Sequence, residues 1–138
     1  MNSRLLMTLR VATAPLQDVG AVPEGSRGIF PIAGGTFEGP RLRGKVLAGG
    51  GDWMLLRPDG VRELDLRITL ETDDGALIFM TFTGMRHGAA TDPEGEYFRT
   101  LPRFETAAPR YAFLNRLLAV GSGEVRADGP VHTIEEIV

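Results

Sequence analysis

Asp52 stands beside Trp53, the chain's one tryptophan, directly after Gly49-Gly50-Gly51. A carboxyl held against an apolar neighbour is pushed toward its neutral form and can serve as a general acid or base. The same aspartate in a turn would hydrogen-bond nearby backbone, with Trp53 in the core. Further on, Asp65 and Arg67 alternate with Leu64, Leu66 and Ile68. Two arrangements fit that pattern. In one, the leucines are core and the charges face water. In the other, Asp65 and Arg67 enter a cavity as acid or base and oxyanion ligand, and the leucines meet a partner subunit. Tyr97 and Arg99 share a face at strand spacing. A phenol and a guanidinium there can polarise an enolate, phenolate or carboxylate, or they are an edge tyrosine beside a surface ion pair. Arg86 and His87 end an apolar run, either at a barrel mouth facing an anionic ligand or as a solvated strand end. Asn115 lies in YAFLNRLL, and a buried amide needs partners, in the barrel closure or in a ligand.

Other chemistries lack their residues. The chain has no cysteine, which removes thiolate nucleophiles, thiolate metal ligands and disulfides together. His87 and His132 are its two histidines and stand far apart, so no metal is expected. No serine has a recognisable elbow around it, and no lysine follows the glycines at 49–51 as a phosphate-binding loop requires. No cofactor is expected. The net charge of -3 carries no basic footprint for nucleic acid or an anionic membrane. The N-terminus is split by Arg4 and lacks the apolar centre of a signal peptide, and no apolar run reaches the ~18–20 residues of a membrane span. The expectation is a cytoplasmic protein. At 138 residues, 43% hydrophobic and 24% charged, it reads as one globular domain over 1–138.

These residues must be held by strands. Val61 to Glu71 alternates, with Leu64, Leu66, Ile68 and Leu70 on one face and Glu63, Asp65, Arg67 and Thr69 on the other. Asp73-Asp74-Gly75 turns the chain into a second long strand, Ala76 to Arg86. Leu5 to Thr13, Ile29 to Phe37 with a bend at Gly34-Gly35, Leu42 to Ala48, Asp52 to Arg57, Tyr97 to Phe104 and Val131 to Ile137 also read as strands. Leu16 to Gly25 reads as a loop. Pro109 to Gly121 suits either a helix or a strand, and its turn-rich flanks favour a strand. Eleven of the eighteen glycines fall between Gly20 and Gly60, a stretch that therefore bends or approaches neighbouring backbone closely. Short strands with curvature predict an all-β fold, a single antiparallel β-barrel of about eight to nine strands with room for side chains or one small ligand.

The stretches VGAVPEGSRGIFPIAGGTFEGPRLRGKVLAGGGDW, RPDGVRELDLRITLETDDGA, EYFRTLPRFET and PRYAFLNRLLAVG resemble, in that order, the DUF3237 (UPF0311) family. The resemblance runs from about Leu6 to Val138. It implies a lipocalin-like or allene-oxide-cyclase-like barrel. A fungal relative closes an oxygen ring by adding a hydroxyl across an alkene, so the resemblance admits a cyclase-type activity. The family pattern also contains the Asp52-Trp53 pair and a charged pair at the position of Asp65 and Arg67. The chain departs from it at Ile68, where members often carry tyrosine, and at Phe82, where a polar residue is common. If those positions line the cavity, this cavity is the more apolar one. Two functions are then expected. One is a cofactor-free cyclase or isomerase for a small, apolar, oxygen-bearing (polyketide-like) metabolite. Asp52 and Asp65 would be its acid/base groups, and Trp53, Arg67, Arg86, Tyr97, Arg99 and Asn115 its ligand contacts. The other is a non-catalytic carrier of such a ligand. Exposed apolar strand faces predict a homodimer.

Overall fold

The four aliphatic residues on one face of Val61–Glu71 decide how the sheet is turned. Burying each is worth ~1.5–3 kcal/mol. An exposed ion pair such as Asp65 with Arg67 is worth ~0–1 kcal/mol. The leucine face must therefore go inward. In the computed structural model, which describes all of residues 1–138, it does: Leu64, Leu66, Ile68 and Leu70 are all buried.

Ten strands form one antiparallel sheet: β1 (Ser3–Thr13), β2 (Gln17–Val22), β3 (Gly25–Glu38), β4 (Arg43–Val46), β5 (Gly51–Leu56), β6 (Arg62–Thr72), β7 (Leu77–His87), β8 (Tyr97–Glu105), β9 (Ala119–Arg126) and β10 (Gly129–Ile137). The sheet closes because β1 pairs with both β10 and β3. β3 is the hinge of the design. Its first half, to Pro31, pairs with β2 on one side and β5 on the other; its second half pairs with β1 and β4. The ten strands thus occupy eight wall positions of a closed barrel, and β2 and β5 extend the wall at one end. That end is the mouth. Gly35, in the bend of β3, has φ 145°, and a side chain there would run into the backbone of Arg10 on β1. The glycine clustering in this part of the sequence reflects that close approach.

The far end is packed solid. Met7, Leu9, Phe37, Leu70, Ile78, Met80 and Ile134 are fully enclosed there. A 3₁₀ helix, Pro109–Arg116, caps it with Tyr111 and Leu114, which sit three residues apart and so point the same way. Two expectations are corrected here. Pro109 to Gly121 is not one strand but this helix followed by β9. Proline supplies its first turn, and the Asn115 side chain folds back to bond both backbone groups of Thr106, at 2.8 and 2.9 Å. The segment expected as a loop over Leu16 to Gly25 contains β2, whose pairing with β3 outweighs its weak hydrophobic pattern. No helix is long and apolar enough to cross a membrane.

Candidate active site at the barrel mouth

Between the packed end and the mouth lies a cavity of about 390 Å³. Strand alternation decides what enters it. On β5, Gly51 follows the glycine turn, so Asp52 and Met54 point inward while Trp53 and Leu55 point outward. On β6 and β7 the inward sets continue to the rim as Arg62 and Arg86, which stand opposite each other in register. On β10 the inward set runs Pro130, His132, Ile134. Four ionisable groups, Asp52, Arg62, Arg86 and His132, therefore share a chamber otherwise walled by residues such as Phe30, Leu66, Phe82 and Phe98.

Burial pushes the Asp52 carboxyl above its ordinary range. The backbone amide of Asp65 donates to Asp52 Oδ1 at 3.0 Å and opposes the shift, and the nearby Asp65 charge adds to it. The net effect favours the protonated acid. His132 is 3% exposed, between the rings of Phe82 and Phe98 at 5.1 and 5.3 Å. Burial lowers its pKa to about 4, so the ring is neutral at pH 7. Its Nδ1 is enclosed and has no hydrogen-bond partner. Gly123, opposite His132 in the β9–β10 register, leaves the space that the Phe98 ring fills. Arg86 Nε donates to Glu96 Oε1 at 2.6 Å and its guanidinium lies 5.3 Å from the centre of the Phe98 ring.

Of the residues singled out from the sequence, Asp52 and Arg86 are the two that reach this chamber. Asp65 and Arg67 lie on the outer face of β6, 3.7 Å apart, which corrects the arrangement that turned them inward and the leucines outward. Asp65 still bears on the site, through its amide and its charge. Trp53 is on the outside with the Arg67 guanidinium 5.7 Å from its ring. Tyr97 is also outside, stacked on His87 at 4.9 Å with Arg99 at 5.6 Å on it. With Leu101 and Met85 they border a broad groove on the outer wall, open to solvent. Asn115 lies at the capped end, far from the mouth along the barrel, and serves the turn described above. Of the two family departures, Phe82 does line the chamber and makes it apolar; Ile68 sits in the packed core below.

His132 and Arg62 were not singled out as site residues. The signal for Arg62 was present: counting back by twos from Leu66 and Leu64 puts it on the buried face of its own strand. For His132 the strand itself was legible, and its alternation places His132 with Ile134. Sequence distance from His87 concealed its role, because closure brings β10 to the chamber with β5, β6 and β7.

Comparison with known proteins agrees with this architecture. A β-barrel-like protein of Acinetobacter baumannii has 36% identity, with a TM-score of 0.90 over 99% of this chain and 96% of that one. The crystal structure of a conserved protein of unknown function from Rhodopseudomonas palustris superimposes with a TM-score of 0.92 at 34% identity, over 99% and 97%. An enzyme from Penicillium herquei shares the fold at 21% identity, with a TM-score of 0.79 over 99% and 94%. The family model described as a protein of unknown function, DUF3237, matches residues 1–137. That match, with 33% identity to a UPF0311 protein of Rhodopseudomonas palustris over 100% of this chain and 97% of the relative, places the chain in the family: it is a member of DUF3237, the UPF0311 proteins.

Proposed function

We propose that the protein takes a small, largely apolar, oxygen-bearing molecule into the mouth chamber and converts it by proton transfer, as a cofactor-free cyclase or isomerase. The observation that carries this reading is Asp52: an acid turned into an apolar chamber, with its pKa raised by burial. Such a group donates a proton to a carbonyl or alkene and takes one back in the return step. The neutral His132 lines the same chamber, and with its Nδ1 sealed in the wall it is Nε2 that offers a hydrogen bond to the ligand's oxygen. At about 4 it is a weak base, so its part is to orient and polarise, and Asp52 carries the proton. Asp65 has a supporting role, orienting Asp52 through its amide. The description of the Penicillium herquei neighbour as an enzyme is consistent with chemistry in this fold.

Hydrogen–deuterium exchange at the activated carbon of 2-tetralone, followed by NMR in D₂O, tests the reading. The protein should accelerate exchange, and Asp52→Asn should slow it by ~10²–10⁴-fold. The variant should also resist unfolding better at pH 8. An acid with a raised folded pKa contributes its stability at low pH and loses it as the pH rises through that value. The predominantly apolar lining, with Phe82 in it, favours a second reading, a carrier without turnover. Binding of the neutral dye N-phenyl-1-naphthylamine with no acceleration of exchange, in either form, would leave that one standing.

A further inference from the structure

Arg62 and Arg86 are directly opposed on adjacent antiparallel strands, both on the face that enters the mouth. Directly opposed side chains have Cβ atoms ~4.5–5.5 Å apart, and like charges at that position repel. One carboxylate answers this pair. Glu96, from the segment leading into β8, binds Arg86 at 2.6 Å. Arg62 has no carboxylate within 4.0 Å. Asp52 shares the chamber, but its Oδ1 accepts from the backbone amide of Asp65 and it makes no ion pair with Arg62. Glu124 lies near the rim on β9 and is taken by Arg126. The rim is thus one negative charge short, directly above an apolar chamber.

We infer that the cavity's ligand is an acid: its carboxylate sits at the rim on Arg62, alongside Arg86, and its apolar body extends down between Phe82 and Phe98. This deepens the proposed function and rests on the mouth chamber being the binding site. A guanidinium presents paired N–H donors in the plane that a carboxylate needs, and it keeps its charge at any working pH. The carboxylate neutralises the opposed arginines without displacing Glu96. A ligand so anchored has a fixed orientation: its acid end is at the solvent, and the carbons beyond it lie at the depth of Asp52 and His132.

The experiment compares two ligands of the same shape, 1-naphthoate and the neutral 1-naphthalenemethanol, by calorimetry at pH 7.5 on the intact protein. The acid should bind at least about tenfold more tightly, as expected when one charge-assisted pair is added. Arg62→Met should remove that preference and leave the affinity for the alcohol unchanged. Arg41→Met, at the opposite end of the barrel, should keep it. Arg62 is exposed at a strand end, and the substitution relieves repulsion, so the variant should melt no lower than the parent. Equal binding of acid and alcohol to the parent protein overturns the inference and leaves the chamber reading intact. An acid preference that survives Arg62→Met, or is lost in Arg41→Met, also overturns it. If neither ligand binds, the chamber reading itself fails.

Discussion

His132 makes the chamber measurable without a substrate. Its pKa falls from 6.5 to about 4 on folding because the ring is buried between Phe82 and Phe98 with no partner for a proton. The unfolded chain therefore binds a proton at this residue below pH 6.5, and the folded one waits until about 4. Stability from this group is fully present above 6.5, declines through that window, and is gone below it. At 1.36 kcal/mol per pH unit the whole window is worth ~3 kcal/mol, of which about 2 kcal/mol is lost by pH 4.5. Two other groups must be kept apart from it. Asp52 works with the opposite sign, since its folded pKa is raised and acid restores stability. Asp74 is held below its ordinary value by hydrogen bonds from Thr72 and Tyr111, so its contribution is lost only below pH 3.8. Urea unfolding at steps from pH 7 to 4.5, on the parent and on His132→Leu, isolates the histidine. The parent should lose about 2 kcal/mol more than the variant across that range. The imidazole should titrate by NMR near 4. Superimposable pH profiles, or a ring titrating near 6.5, would refute the burial argument.

Gly123→Ala would place a methyl 2.6 Å from the Phe98 ring, which already packs edge-on against His132 and lies under the Arg86 guanidinium. The ring cannot yield freely, so a loss of ~1–3 kcal/mol in urea unfolding is expected, together with weaker binding of N-phenyl-1-naphthylamine. Tyr111→Phe removes the 2.8 Å hydrogen bond to the Asp74 carboxylate under the helical cap. A loss of ~1.5–3 kcal/mol should follow, with dye binding unchanged because the cap closes the end away from the chamber.

How much was legible in advance follows from which forces are local. The alternation of β6 and β7 is local, and it gave both strands, their faces and the buried leucines. The crowding of glycines around β3 and β4 is also local, and it announced closure. The Pro109–Arg116 helix is hidden in the sequence because Leu114, Leu117 and Leu118 fit two periodicities. What decides between them is the Asn115–Thr106 clasp, a side-chain contact that no periodicity contains. The site was harder still. Trp53, Tyr97 and Arg99 looked like a ligand wall by residue type, yet each occupies the outward phase of its strand. Phase is fixed by which face the barrel fills, and for β5 and β8 the apolar residues are too evenly shared between faces to show it. Arg62 was readable by counting from Leu64. A charge is expected in water, and at a rim an arginine satisfies that rule while facing inward.

The two ends of the barrel obey different rules. At the capped end every polar choice has a structural return. Glu136 is buried but bound by Arg4 and Arg41, and Asp74 gathers Thr72, Tyr111 and Arg110 around the helix. At the mouth the polar groups stabilise little. Asp52 is burdened by burial, the Nδ1 of His132 has no partner, and Arg62 faces Arg86 across a strand pair. A leucine at each of these positions would close the barrel at least as well, since an apolar chamber has no use for an unsatisfied donor or an isolated acid. Local departures from what folding requires are expected where a protein must meet another molecule. Here they converge on one chamber, from β5, β6, β7 and β10, and all of them lie above the level at which the core becomes solid. The outer wall carries less of this tension: Arg67 has Asp65 and His87 stacks on Tyr97, both pairs open to water, and the one unpartnered buried atom beside the groove is the neutral hydroxyl of Thr100. That gathering of charged and buried ionisable groups, more than the size of either hollow, is the reason the proposed chemistry is placed inside.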